Sequence, residues 1–231
     1  MTTPVTYTKD GDIARLTLHC NALDAAVERA LSDACDAIAD DTDVRAIVLT
    51  ASISAADVAH DPFECIAALP KPVVSAVDGD VSGGTLAMAL ATDVRIASKD
   101  ATFSVPDIAQ GRLPLPGTIA RLVRLVGPGN AARLVLTGDS IDAAEALRIG
   151  LVSEVAADAV TRADEIARRI AERGPIAVRY AKEAVSRGLG MPLEQALRFE
   201  TDLTIILQTT EDRAEGVQAF LDKREPKFKG K

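Results

Sequence analysis

The chain has 231 residues, 48% apolar and 26% charged, which is an ordinary globular balance and enough length to bury a sizeable core. Its 34 acidic and 26 basic side chains leave a formal charge of −8, a poor match to nucleic acid or to an anionic membrane surface. The longest uncharged stretch, Val81 to Thr92, falls short of the ~20 residues of a spanning helix. The opening MTTPVTYTKD has no basic region leading into an apolar run, so no signal peptide is expected. Cys20, Cys35 and Cys65 form no CxxC pair and no zinc pattern, and read as reduced thiols of a cytoplasmic protein without a metal site. With 3% aromatics and no Trp, the core must be filled by Ala, Val, Leu and Ile.

Ile13–Leu18 reads as a strand, paired with Val5–Tyr7 through a turn at Asp10-Gly11. Helical spacing follows at Leu23, Val27, Leu31, Cys35 and Ile38, with Asn21 placed to cap that helix and Asp24 in its first turn. Ala46–Thr50, Pro72–Val77 and Val94–Ser98 are nearly continuous apolar runs, suited to strands covered on both faces. Thr102–Val105 is a further short strand. Beyond about Pro116 the strand signals fade. Helical patterns cover 117–126, 129–136, 142–149, 158–173, 175–187, 192–207 and 211–223, punctuated by glycines and prolines.

The segment Asp78-Gly79-Asp80-Val81-Ser82-Gly83-Gly84-Thr85 stands between a strand and a helix. Gly83 and Gly84 lack Cβ atoms, so a ligand can approach the backbone closely. The helix beginning there presents free N–H groups and the positive end of its dipole. Such a turn can bind an anion or stabilise an oxygen that becomes negative during reaction; it can also be only a tight turn. There is no GxxxxGKS/T and no GxGxxG after a first strand. Ser82 has no histidine in a triad arrangement, since the chain has only His19 and His60, and a capping or turn role is expected for it.

Several blocks, in order, resemble the crotonase superfamily of enoyl-CoA hydratases and isomerases. Asn21-Ala22-Leu23 is similar to the family's NAL, and Ala46–Thr50 to its IVLTG strand. Ser54-Ala55-Ala56-Asp57-Val58 is similar to AGADI. Lys71-Pro72-Val73 through Asp93 resembles KPVIAAVNG…GGG…LA…CD. Phe103–Asp107 followed by Gly111 and Pro114 resembles FGQPE…G…P, and Ala219–Gly230 resembles AF..KR.P.F.G. The resemblance covers nearly the whole chain. It implies an α/β fold, a spiral of ββα repeats over residues 1–190, with a helical trimerisation region over 191–231 and a homotrimer or hexamer as the assembly. It further implies an acyl-CoA thioester ligand of the kind handled in fatty-acid metabolism, with coenzyme A part of the substrate and no separate cofactor.

By position, the thioester oxygen would lie between the backbone N–H groups of Ala56 and Gly84. Ser54, Ala55, Asp57, Val58, Gly83 and Pro106 would line the substrate. Two departures matter. The position that carries one hydratase glutamate is Ala87, and the other is Asp107, a shorter carboxylate. Adding water to an enoyl group needs both base-assisted attack and protonation at carbon, for which one carboxylate is poorly equipped. Isomerase-type chemistry needs only one, so Asp107 is expected to act alone. The alternative is a non-catalytic acyl-thioester binder.

The 51–70 stretch is compact, Ala55 stands where a glycine is common, and the segment between Leu18 and Asn21 is too short for the usual RP-containing loop. Asp57, His60, Asp61, Glu64 and Asp80 could also reach a pocket, but read as solvated surface groups. The tail offers Lys223, Arg224, Lys227, Lys229 and Lys231 against a net-negative molecule. By resemblance Lys227 and Phe228 approach the nucleotide end of CoA, often across a subunit boundary; the alternative is a solvated basic end.

Overall fold

Val5–Asp10 (β1) and Ile13–Cys20 (β2) form the expected antiparallel hairpin, with Val5 opposite Leu18 and Asp10 opposite Ile13. The computed structural model describes residues 4–53 and 58–231. Helix α1 (Ala25–Asp40) buries Val27, Leu31, Cys35 and Ile38, the face that the spacing predicts. Its cap is Asp24 rather than Asn21. Asp24 has the extended backbone of a cap, and its Oδ1 accepts the N–H groups of Ala26 and Val27, both at 2.9 Å. Asn21 lies too early, because Leu23 turns into the core before the helix begins.

The chain continues through β3 (Ala46–Ile53), the single-turn α2 (Glu64–Ala67) and β4 (Val73–Val77). It then runs through β5 (Asp80–Val81), α3 (Gly83–Leu90), β6 (Val94–Ser98) and β7 (Thr102–Phe103). A 3-10 turn (Pro106–Gln110) leads to α4 (Thr118–Thr137), which breaks where Gly127 adopts φ +75° ahead of Pro128, as the two separate helical patterns predict. After it come β8 (Ile141–Asp142), α5 (Ala143–Arg148), β9 (Glu154–Ala156), α6 (Ala159–Ala171), α7 (Pro175–Gly188), α8 (Leu193–Gln208) and α9 (Glu211–Asp222).

Two sheets result. The larger has the order β1-β2-β3-β4-β6-β9 and is parallel from β2 onward; the smaller is β5-β7-β8. β4 enters the large sheet, β5 the small one, and α3 follows. β6, β7 and α4 repeat that path, which is the ββα spiral. The strands after Pro116 correct the expectation that strand structure ends there. β9 is only three residues long and too short to show periodicity; its pairing with β6 defines it.

All five residues of β4 are buried, as a continuous apolar run requires. Ala159, Ala163, Ala167 and Ala171 repeat every fourth position along α6 and lie on Ile13, Val48, Val74 and Ile96 of the sheet. Small side chains there let the helix approach the strands closely, which is how a core with few aromatics fills its space. α7 packs mainly against α8. Lys182 of α7 donates to the Lys71 carbonyl at 2.9 Å and pairs with Asp93 at 2.7 Å, tying α7 to the sheet. The three cysteines are free thiols. Among the described residues no helix is long and apolar enough to cross a membrane.

Candidate active site

The chain enters α3 through Ser82, which has extended backbone angles and makes no side-chain cap bond. Its hydroxyl instead points to Asp80 Oδ2 at 3.4 Å, a turn role rather than that of a nucleophile. Gly83 follows with φ +50°, a left-handed conformation that favours glycine. Gly84 is buried in the first turn, and no described residue accepts a hydrogen bond from its N–H. An uncapped helix start thus holds a donor in an apolar setting.

Thr85 fixes what lies beside it. Its Oγ1 accepts the Ile53 N–H at 3.0 Å and donates back to the Ile53 carbonyl at 3.4 Å. The end of β3 is therefore pinned to the turn that carries Gly84. The next residues, Ser54, Ala55, Ala56 and Asp57, lie outside the described residues; Val58 resumes the chain on the wall of a cleft.

That cleft has a volume of about 650 Å³ and a largely apolar wall that includes Val58, Leu113, Leu115, Pro116 and Ile119. Asp107 projects into it from the 3-10 turn that Pro106 begins, with its side chain 14% exposed. The Asp107 carbonyl accepts the Arg112 N–H at 3.0 Å, and the Arg112 guanidinium stands 3.8 Å from the Asp107 carboxylate. Ala87 is 1% exposed and belongs to the apolar core, so that position supplies a packed methyl group and no proton carrier. A larger hollow of about 700 Å³ lies between α6 and α7 and does not include Asp107; Gly84 is among the described lining residues of neither hollow.

One flank of the cleft is held by a contact that no sequence motif signals. Arg121 donates from Nη1 to Asp61 Oδ1 at 3.1 Å and from Nη2 to Asp61 Oδ2 at 2.5 Å. Asp61 also accepts the Phe63 N–H at 3.1 Å. The expectation of a solvated Asp61 is thus corrected, for it joins the segment after Val58 to α4. Sixty positions separate the partners, so no local pattern reveals the pair. Gly117 makes room for it, since a Cβ there would stand 2.5 Å from Arg121 Nη1 and 2.8 Å from Asp61 Oδ2. His60 is an exposed partner of Glu28, at 3.1 Å.

The basic tail is docked rather than loose. Arg224 binds Glu215 at 2.6 and 2.9 Å, and the Lys227 N–H donates to Glu215 Oε1 at 2.7 Å. These contacts, Arg224 first, hold the Glu215 carboxyl down to about 2. The buried carboxylate of Asp212 accepts the N–H groups of Lys229 and Gly230 at 2.6 and 2.8 Å. The Phe228 ring covers Gly174 and Gly216, and its carbonyl accepts Arg45 Nη2 at 2.8 Å. Arg45 precedes β3, whereas Ile53 and Gly84 lie at the other end of that strand. Within one chain, Lys227 and Phe228 therefore do not meet Gly84.

Taken together, a two-sheet ββα spiral with a bare, buried donor turn, and a largely apolar cleft whose described lining carries one carboxylate, is the crotonase fold. The Bacillus anthracis enoyl-CoA hydratase superposes with a TM-score of 0.92 at 32% identity, covering 99% of this chain and 100% of that one. The chain belongs to the enoyl-CoA hydratase/isomerase family, which it matches over residues 55–231. Among its relatives, the crotonyl-CoA hydratase of Syntrophomonas wolfei is 35% identical over 232 residues, 90% of this chain and 89% of that protein. The short-chain-enoyl-CoA hydratase of Clostridium acetobutylicum is 33% identical over 244 residues, 94% of each.

Proposed function

We propose that this chain binds an acyl-CoA thioester and moves a double bond along its acyl chain. The Gly84 N–H, with that of Ala56, holds the thioester oxygen, and Asp107 carries the proton. The observation behind this reading is the buried Gly84 amide, which no described residue claims, at an uncapped helix start. Removal of a proton from the α-carbon of a 3-enoyl thioester places negative charge on that oxygen. Two fixed amides in a dry site stabilise it, each worth ~2.7–4 kcal/mol of barrier. Asp107 takes the proton and returns it at the γ-carbon, leaving the 2-enoyl ester. Ser54, Ala55, Asp57, Val58, Gly83 and Pro106 line the acyl and thioester region. No cofactor beyond the substrate's own CoA is required. Lys227 and Phe228 serve the nucleotide end of CoA in a neighbouring copy, since they lie away from Gly84 in their own chain. A cytoplasmic homotrimer or hexamer fits this arrangement.

Hydration is the second reading, favoured by relatives that are crotonyl-CoA and short-chain-enoyl-CoA hydratases. Ala87 weighs against it, because water addition then rests on Asp107 alone. The test is turnover of 3-enoyl-CoA and 2-enoyl-CoA panels by the wild type and by Asp107→Ala. Isomerisation is expected to exceed hydration and to fall at least ~100-fold in the variant. Faster hydration than isomerisation would select the second reading. Background rates in both proteins with CoA esters still bound would leave a non-catalytic binder.

A further inference from the structure

We infer that Arg112 makes this cleft selective for acyl groups that end in a carboxylate, so that the substrate is the CoA thioester of a short dicarboxylic acid. This deepens the reading of the site as an acyl-CoA pocket and rests on it. Among the described residues that line the cleft, two carry charged side chains, Asp107 and Arg112, and the others are uncharged. A cation on such a wall does nothing for a purely hydrocarbon acyl chain; bringing one against it costs hydration without a compensating partner.

The Arg112 side chain is 54% exposed, but its backbone and one of its donors are held. Gly111, at φ +71°, turns the chain so that the Arg112 N–H binds the Asp107 carbonyl at 3.0 Å, which fixes its Cα relative to the reacting carboxylate. Nη2 donates to Gln110 Oε1 at 2.7 Å. Asp107 Oδ1 is 3.8 Å away, outside hydrogen-bond reach. Among the described residues nothing accepts from Nε or Nη1. The planar guanidinium therefore keeps donors for a second acceptor, and a carboxylate is the anion whose two oxygens match its fork.

Length follows from the same distances. Asp107 must reach the α- and γ-carbons, and the Arg112 guanidinium is 3.8 Å from it. The anion Arg112 receives must then lie only a few bonds beyond the reacting carbons, which selects short diacids over long ones. The phosphates of CoA are the other anions in such a ligand. Esters that share one CoA and differ only at the acyl end separate the two sources.

The experiment measures dissociation constants of glutaryl-, adipyl-, butyryl- and hexanoyl-CoA by calorimetry on the full chain, for the wild type, Arg112→Leu and Arg112→Lys. The wild type is expected to prefer the dicarboxylic esters over the matching monocarboxylic ones by about tenfold or more. Arg112→Leu is expected to abolish that ratio, and Arg112→Lys to keep part of it because the charge remains. Equal affinity for both ester classes in the wild type would overturn the inference. So would a uniform weakening of all four esters by Arg112→Leu, which would assign the residue to CoA phosphates. If none of the esters binds a folded wild type, the acyl-CoA reading itself fails, an outcome distinct from binding without preference.

Discussion

Gly83 concentrates the demands of the site on one pair of dihedral angles. Its φ of +50° orients the first turn of α3, and among the described residues no atom lies within 4 Å of where a Cβ would stand. Gly83→Ala therefore meets no clash and pays only for the left-handed backbone, about 1 kcal/mol. Urea denaturation is expected to show that loss, with kcat falling further because the Gly84 N–H moves with the turn. An unchanged kcat in a variant of lowered stability would separate the turn from catalysis. This part of the site was legible in the sequence, because two adjacent glycines between a strand and a helix signal a backbone left open to close approach. Asp107 is singled out only through the resemblance of Phe103–Asp107 to FGQPE, and the structure puts it on the wall of the cleft. The Asp61–Arg121 pair was not legible, because only the packing of α4 against the 58–63 segment brings the partners together.

Elements are held at this site by a few polar joints. At Gly117, φ is +88° and a Cβ would strike the Asp61–Arg121 pair. Gly117→Ala is expected to destabilise the protein by about 2 kcal/mol, combining left-handed strain with a disturbed bidentate ion pair. Faster amide exchange over residues 58–63 would mark the released flank, and a melting temperature equal to the wild type would refute it. The tail behaves differently with pH. The folded carboxyl of Glu215 titrates at about 2, below its ordinary 4.5, so docking contributes stability fully above about 4.5 and loses it as the pH falls through about 2. Limited proteolysis is expected to reach residues 224–231 as that window is crossed, and at neutral pH in Glu215→Gln. Protection that is constant down to pH 2 would contradict this. Helices were readable from periodicity almost to their ends, whereas β5, β8 and β9 are too short to carry a pattern and exist through their sheet partners.

Across the whole molecule, the C-terminal helices leave large apolar side chains in water, among them Leu189, Leu193, Leu197, Ile205, Phe220 and Leu221. An exposed apolar surface of this extent is what the proposed assembly would cover. Sedimentation is expected to show a trimer or hexamer, and Leu193→Asp with Phe220→Asp to shift it towards monomer. A stable wild-type monomer would refute both the assembly and the sharing of Lys227 and Phe228 between copies. The placement of α3 has a different consequence. Gly84 through Leu90 are all buried, while much of the cleft wall is carried by the loop after Gly111. Substitutions in that loop can therefore reshape the cleft while the Gly84 amide keeps its buried place.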